Sequence, residues 1–412
     1  MSLSPRLSVQ TTIFTRDTQN AYTTNLTDGT LTQTRSYNGF GEIIELSDNT
    51  FTYQLSQRDN AGAIVQKKET LNGVTETFDY SFDEMGRLVE VQKNNVITET
   101  YTYDANGNRA TATVQGISTT ASYTLDDNLV VYGDNTYRYD EDGYLEEKVT
   151  PEGSTTYSYG TLGELRQVTT PTKTISYQHN ANNQRVSKSI NGTIVEKYLW
   201  ANLTTLLATY DASDNLKQRF EYAAPQGHFL ASSGHNRMPI SMTQGSIKYY
   251  LHYDQVGSLR AISDNSHNII KEISYDTYGN VLTDSNEAFT VPFGFAGGLY
   301  DTDTKLTRFG YRDYDAYTGK WTAKDPIGFA GGDSNLYGYV LGDPVDFVDP
   351  SGLFWKEPCK KEDENNTKPK SFCEKSWIDF RTECLKSGLG YKRCLEKKGI
   401  RVMMECGPRI KY

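Results

Sequence analysis

The first 353 residues contain no cysteine; all five, Cys359, Cys373, Cys384, Cys394 and Cys406, fall in the last 59 residues of the 412-residue chain. Most of the chain is therefore not a disulfide scaffold, and a composition break this sharp divides two segments of different character. No run of 18 apolar residues occurs, and Met1-Ser2-Leu3-Ser4-Pro5-Arg6 is not followed by an apolar stretch. Neither a transmembrane helix nor an N-terminal signal peptide is expected, so a chain that leaves the cell does so by a non-classical route. Histidine is scarce. His179, His228, His235, His252 and His267 are scattered. His228 and His235 share one loop, but no cysteine or carboxylate cluster at ligand spacing accompanies them, so no metal and no cofactor is expected. The last 59 residues hold no histidine at all, which excludes an HNH-type nuclease or a His-dependent RNase there. They also lack a Gly-rich phosphate loop, a Ser/Cys–His–Asp set and a Cys-x-x-Cys pair.

Apolar residues are only 36% of the chain, whereas glycine (34) and tyrosine (30) are abundant. This is the profile of many short strands joined by glycine turns, with tyrosine at half-buried pleat positions. From Phe354 onward there are 15 Lys+Arg and 9 Asp+Glu, leaving 27 against 43 in the rest. An acidic body thus carries a basic tail, a complementarity that suits a container and its cargo and equally any acidic domain with a basic extension.

The body repeats itself. An aromatic-x-aromatic-Asp-x-x-Gly unit appears at Tyr101-Thr102-Tyr103-Asp104 with Gly107 and at Tyr137-Arg138-Tyr139-Asp140 with Gly143. Variants stand at Phe82-Asp83, Tyr157 to Gly163, Tyr177 to Asn180, Tyr210-Asp211, Tyr253-Asp254 and Tyr275-Asp276. Intervals cluster near twenty residues, the length of one hairpin. Alternating Tyr-x-Tyr puts both rings on one face of a strand, Asp accepts a turn hydrogen bond, and Gly supplies the positive φ. A lone hairpin cannot bury its apolar face, so the copies are expected to stack edge to edge into one twisted sheet. The tyrosines pack that sheet; a carbohydrate-binding face is the alternative use. Residues 222–248, with Pro225, Gly227, Gly234 and Pro239, read as an insertion loop within the array.

The stretch from Arg308 to Leu353 carries the most specific signal. It contains Arg312-Asp313-Tyr314-Asp315, Thr318-Gly319-Lys320-Trp321, Asp325-Pro326-Ile327-Gly328, Asn335-Leu336-Tyr337-Gly338-Tyr339 and Asp349-Pro350-Ser351-Gly352-Leu353. Five sub-motifs in this order resemble the core-associated region of the Rhs/YD-repeat family of bacterial polymorphic toxins, which includes toxin-complex C components. The resemblance implies a mainly β fold, an array of hairpins forming a spiralling sheet or partial shell, to which the residues themselves add a small Cys-rich, helical tail. It divides the chain into a repeat array (1–292), a core-associated region (293–353) and a variable tail (354–412). It also implies aspartyl-protease-like self-cleavage between Leu353 and Phe354, with Asp325 and Asp349 as the paired carboxylates and Arg312 as their supporting cation. Asp343 and Asp346 lie between the pair and are alternatives. The chain opens mid-repeat, as the C-terminal portion of such a protein would, with few turns of repeat to enclose a volume.

The tail is expected to hold a polar linker, a helix over 374–387 and a second short helix over 391–398. Cys373 and Cys384, eleven apart, return to one helical face after three turns. A helical hairpin would pair Cys384 with Cys394 and Cys373 with Cys406, leaving Cys359 over; reduced thiols are the competing reading. Functionally, the resemblance implies a toxin component that carries its own C-terminal peptide as cargo and releases it into a target cell. A cognate immunity protein and a secretion apparatus would be its partners, and the body shows no sign of binding nucleic acid. The alternative is a non-catalytic cell-surface or carbohydrate-interacting repeat protein, or an orphan remnant that stays whole.

Overall fold

In a computed structural model the described residues are 12–19, 22–39, 42–223 and 237–354. The tail cysteines, the tail helices, His228 and His235 lie outside them. Thirty strands occur among the described residues, numbered here in chain order from β1 (Ile13–Arg16) to β30 (Lys320–Trp321). The first 26, ending with β26 (Val281–Asp284), form one antiparallel meander. Among the described residues each of these strands pairs only with its chain neighbours, as β6 (Ile64–Leu71) does with β5 (Phe51–Arg58) and β7 (Val74–Phe82). The sheet is not closed: β1 pairs only with β2 (Thr23–Asp28) and β26 only with β25 (Ile269–Tyr275).

Two kinds of turn alternate along the array. Several are two-residue loops with both residues at positive φ, such as Asn72-Gly73 (φ 51° and 76°) joining Leu71 to Val74. This geometry matches the twist of the strands it joins. The other kind is the aspartate turn read from the sequence. The Asp83 side chain accepts hydrogen bonds from the Met85 and Arg87 amides, both 2.9 Å, while the Gly86 amide, at φ 78°, donates to the Asp83 carbonyl. The same pattern recurs at Asp104 and Asp254, at Asp211 with Asp214 in place of the glycine, and at Asp276 through the Asn280 and Gly279 amides. The tyrosine that ends a strand, such as Tyr103 before the Asp104 turn, has a further task. Tyr103 and Tyr222 donate from Oη to the carbonyls of Leu88 and Leu206, each 2.7 Å, fifteen and sixteen residues back. Each such hydroxyl ties one repeat to the one before it. The first tyrosine of the pair points inward: Tyr101 is 2% exposed.

Of the expected insertion loop over 222–248, residues 224–236 lie outside the described residues, and the part from Pro239 onward is strand instead. β22 (Pro239–Gln244) and β23 (Ile247–Tyr253) continue the meander, pairing Phe220 with Met242 and Ser241 with Tyr250. Pro239 misleads because it is the first residue of its strand, where the missing N–H is tolerated.

The sheet curls so that its early strands meet its late ones. Lys248 Nζ lies 2.7 Å from Asp28 Oδ2, Lys67 Nζ donates to Gln255 at 2.9 Å, and the Thr277 amide donates to Glu99 at 3.1 Å. Into this curl packs a four-stranded meander: β27 (Leu299–Tyr300), β28 (Leu306–Phe309), β29 (Arg312–Asp315) and β30. Its core is aromatic. Phe309, Tyr314, Trp321 and Tyr339 are at most 2% exposed, and the Tyr314 and Tyr339 ring centroids are 4.4 Å apart. Burying side chains of this size stabilises by roughly 1.5–3 kcal/mol each. Polar contacts pin this plug to the array: Arg109 to the Tyr317 carbonyl (2.7 Å), Tyr337 Oη to the Gly143 carbonyl (2.7 Å), and Lys188 to Asp301 (2.7 Å). No helix among the described residues is long and apolar enough to cross a membrane.

Candidate functional site

Two aspartates of the plug repeat the turn of the array. In Asp325-Pro326-Ile327-Gly328, Oδ1 of Asp325 accepts the Ile327 amide at 3.0 Å and the Gly328 amide (φ 59°) donates to the Asp325 carbonyl at 2.9 Å. In Asp349-Pro350-Ser351-Gly352, Oδ1 of Asp349 accepts the Ser351 hydroxyl at 3.1 Å, and Gly352 adopts φ 68°. One carboxylate oxygen thus shapes each turn, and the other is left to point elsewhere. Both point at one cation. Arg312 Nη2 lies 3.0 Å from Asp325 Oδ2 and 3.2 Å from Asp349 Oδ2.

Arg312 is held on every side. Its Nε donates to the Gly352 carbonyl at 2.5 Å, Nη1 donates to the Leu336 carbonyl at 3.3 Å, and its guanidinium carbon sits 4.2 Å from the Trp321 ring centre. A buried arginine stacked on an indole and forked between two carboxylates has little freedom to reorient. Gly352 makes this possible. A Cβ there would come within 2.4 Å of the Phe309 carbonyl oxygen and 2.8 Å of the Arg312 amide nitrogen.

The Leu353–Phe354 peptide lies in the same recess, whose walls include Arg312, Asp325, Asp333, Asp349, Leu353 and Phe354. Asp349 Oδ1 accepts hydrogen bonds from the Leu353 amide (3.1 Å) and the Phe354 amide (3.2 Å). On the other side, a Cβ added to Gly331 would lie 2.6 Å from Asp325 Oδ2 and 2.8 Å from the Leu353 carbonyl oxygen. Asp349 therefore faces the nitrogen of this peptide bond, and Asp325 borders its carbonyl. Burial pushes the Asp325 carboxyl up to about 6; Arg312 and the Ile327 amide oppose the rise and Asp349 adds to it.

The structure thus brings together all five residues singled out from the sequence: Arg312, Asp325, Asp349, Leu353 and Phe354. It separates the alternatives. Asp343 accepts the amides of Val345 and Asp346 in its own turn, and Asp346 reaches the Ile64 amide (3.0 Å) and Arg58. Sequence reasoning missed Asp333. Half-buried in the wall of the same recess, it is pushed up to about 6 by desolvation and accepts the Asn335 amide at 2.8 Å. Gly331-Gly332-Asp333-Ser334 reads as an ordinary turn, and only the fold turns its carboxylate inward. The chemistry open to this arrangement is hydrolysis of the peptide it holds: acid and base on opposite sides of one bond, steadied by a shared cation. Replacing Gly331 with alanine fills the gap between Asp325 and the Leu353 carbonyl. Turnover of this bond should fall at least ~100-fold, with a change in Tm of only a few degrees, checked by intact mass and thermal unfolding of the purified variant.

A second constellation was also missed. His252 Nδ1 lies 2.8 Å from Asp48 Oδ2, and its Nε2 lies 2.8 Å from Ser263 Oγ. The connectivity is that of a Ser-His-Asp triad. His252 and Ser263 are at most 1% exposed and the Asp48 side chain 1%, so no substrate reaches the hydroxyl; the chain of contacts clamps the early strands to the late ones.

An open sheet of aspartate-turn hairpins, curled around an aromatic plug, defines the YD-shell class of proteins. The chain belongs to that family: the model described as Teneurin YD-shell matches residues 8–336. Among curated relatives, Teneurin-4 of Mus musculus is 28% identical over 313 residues, 73% of this chain and 11% of the relative. Teneurin-3 of Danio rerio is 28% identical over 336 residues, 76% and 12%. The tRNA3(Ser)-specific nuclease WapA of Bacillus spizizenii is 26% identical over 283 residues, 66% and 12%. The chain spans about a tenth of the length of these relatives. The solved structure of the Photorhabdus luminescens Tc holotoxin pore is 17% identical with a TM-score of 0.46, over 86% of this chain and 21% of that one.

Proposed function

We propose that this chain is the release end of an Rhs-type toxin, whose body carries the segment after Leu353 and frees it by self-cleavage. The observation that carries the reading is the Leu353–Phe354 peptide held between Asp349 and Asp325, with Arg312 joined to both carboxylates. The family assignment and the nuclease among the relatives support a toxin-related role.

In the proposed reaction a water attacks the Leu353 carbonyl carbon. Asp349 takes a proton from that water while Asp325, in its protonated form, donates to the carbonyl oxygen. Asp349 then passes its proton to the Phe354 nitrogen it already faces. The C–N bond breaks, and the collapsing intermediate returns a proton to Asp325, leaving a carboxyl on Leu353 and an amine on Phe354.

The test is the intact mass of the purified chain under denaturing conditions, beside Asp325→Asn and Asp349→Asn. Two fragments meeting at Leu353/Phe354 are expected for the wild type, and a single full-length mass for each variant. A wild type that stays whole removes the reading and favours an uncleaved interaction protein. The rate carries a second signature. Because Asp325 acts as the acid with a carboxyl near 6, cleavage should level off below that pH and decline about tenfold per unit above it. A rate flat from pH 5 to about 8 excludes this role for Asp325.

A further inference from the structure

A second recess shares the Asp349-to-Leu353 segment as part of its wall, through Pro350, and is lined by three arginines: Arg185, Arg237 and Arg308. All three are buried, at 3%, 5% and 4% exposure. One carboxylate serves two of them: Asp313 Oδ1 lies 2.9 Å from Arg185, and Oδ2 lies 2.6 Å from Arg308. Arg237 pairs with no carboxylate among the described residues. It donates to the Val256 carbonyl at 2.6 Å and approaches Met238 Sδ at 3.4 Å. The segment before it, 224–236, contains no Asp or Glu.

Three arginines thus border the recess, and Asp313, the carboxylate paired with two of them, is not part of its wall. Unused donors accompany them. Nε of Arg185 and Nε of Arg308 are buried without a hydrogen-bond partner among the described residues. Beside the pair, both ring nitrogens of His179 are buried and equally unpartnered. Its imidazole is driven down to about 2, first by burial and then by Arg308, Arg185 and Arg166, as a region of positive potential requires. The backbone yields to these side chains. A Cβ on Gly297, at φ 70°, would fall 2.5 Å from Arg237 Nη1, so glycine is what lets this guanidinium reach the wall. Buried cations with unmet donors are costly unless an anion joins them, and planar guanidinium forks suit the paired oxygens of carboxylate, sulfate or phosphate.

We propose that this recess binds a small oxyanion through Arg185, Arg237 and Arg308. Bound there, the anion ties the array strand that carries Arg185, and Arg237 just before β22, to the plug strand that carries Arg308, beside Pro350 of the turn that presents Leu353.

Equilibrium dialysis of the full chain against labelled inorganic phosphate, at constant ionic strength in chloride, tests this. One saturable site per chain is expected, with affinity reduced at least ~10-fold in Arg237→Met. Arg237→Lys, which keeps the charge but loses the fork, should fall between them and serves if the methionine variant does not fold. Displacement by sulfate but not acetate assigns the site to inorganic oxyanions. Displacement by acetate as well assigns it to carboxylates, including those of a peptide. Absence of saturable binding up to about 10 mM, or unchanged affinity in the folded Arg237 variants, overturns the proposal.

Discussion

Arg312→Met should leave the chain uncleaved over a period in which the wild type is cut to completion, with the rate down ~100-fold or more. The substitution keeps the length of the side chain but removes the cation 3.0 Å from Asp325 and 3.2 Å from Asp349. Two carboxylates are then left in a buried recess with no counter-charge. Breaking a buried ion network from one side costs about 3–5 kcal/mol, so the variant should also unfold more easily at neutral pH. The sign of the pH effect separates chemistry from simple damage. Arg312 is one of the groups that hold the Asp325 carboxyl down. Without it that carboxyl titrates above 6, and the limb of any residual cleavage moves to higher pH. Stability responds in the same direction. A carboxyl whose folded value is raised favours the folded state at low pH, and that gain is lost as pH rises through the folded value. The deficit of Arg312→Met should therefore narrow as the buffer is taken from pH 8 toward about 5, measured by denaturant unfolding at each pH.

The second large effect is expected far from the cleavage chemistry. His252→Ala should destabilise the chain by about 3–5 kcal/mol, because it strands the Asp48 carboxylate and the Ser263 hydroxyl in a buried seam. Burial alone would raise Asp48, but His252 and the amides of Phe51 and Thr50 bring it below its ordinary 3.8. A depressed carboxyl contributes stability that is complete above its unfolded value and lost as pH falls through the folded one. The difference between Asp48→Asn and wild type should thus be full at pH 7 and shrink only below about pH 4. Ser263 should stay unlabelled by a fluorophosphonate probe in the native chain, and labelling would mean that the triad opens to solvent.

The repeat was legible because its determinants are local. Asp83, Gly86 and Tyr103 act within a few residues or one repeat, and spacing alone exposes them. The pair Asp325 and Asp349 was legible through the resemblance, since 24 residues of sequence carry no sign that both would reach one guanidinium. What stayed hidden is what the curl brings together. Asp48 and His252 are 204 residues apart, Arg109 and Tyr317 are 208 apart, and neither contact leaves a periodic trace. Asp333 stayed hidden for a different reason: inside a Gly-Gly-Asp-Ser turn, inward and outward carboxylates look alike. Pro239 misled because a strand-breaking residue is harmless at the first position of a strand.

Because each array strand pairs only with its neighbours in the chain, the sheet can be laid down in the order of synthesis, each hairpin docking on the one just finished. The plug is the last part of the described chain to be made, and it needs Gly143, Arg185 and Lys188 already in place to seat itself. The proposed self-cleavage would therefore carry a built-in clock: Arg312, Asp325 and Asp349 all belong to that plug, so a chain cut at Leu353 would be a chain whose wrapping was already complete.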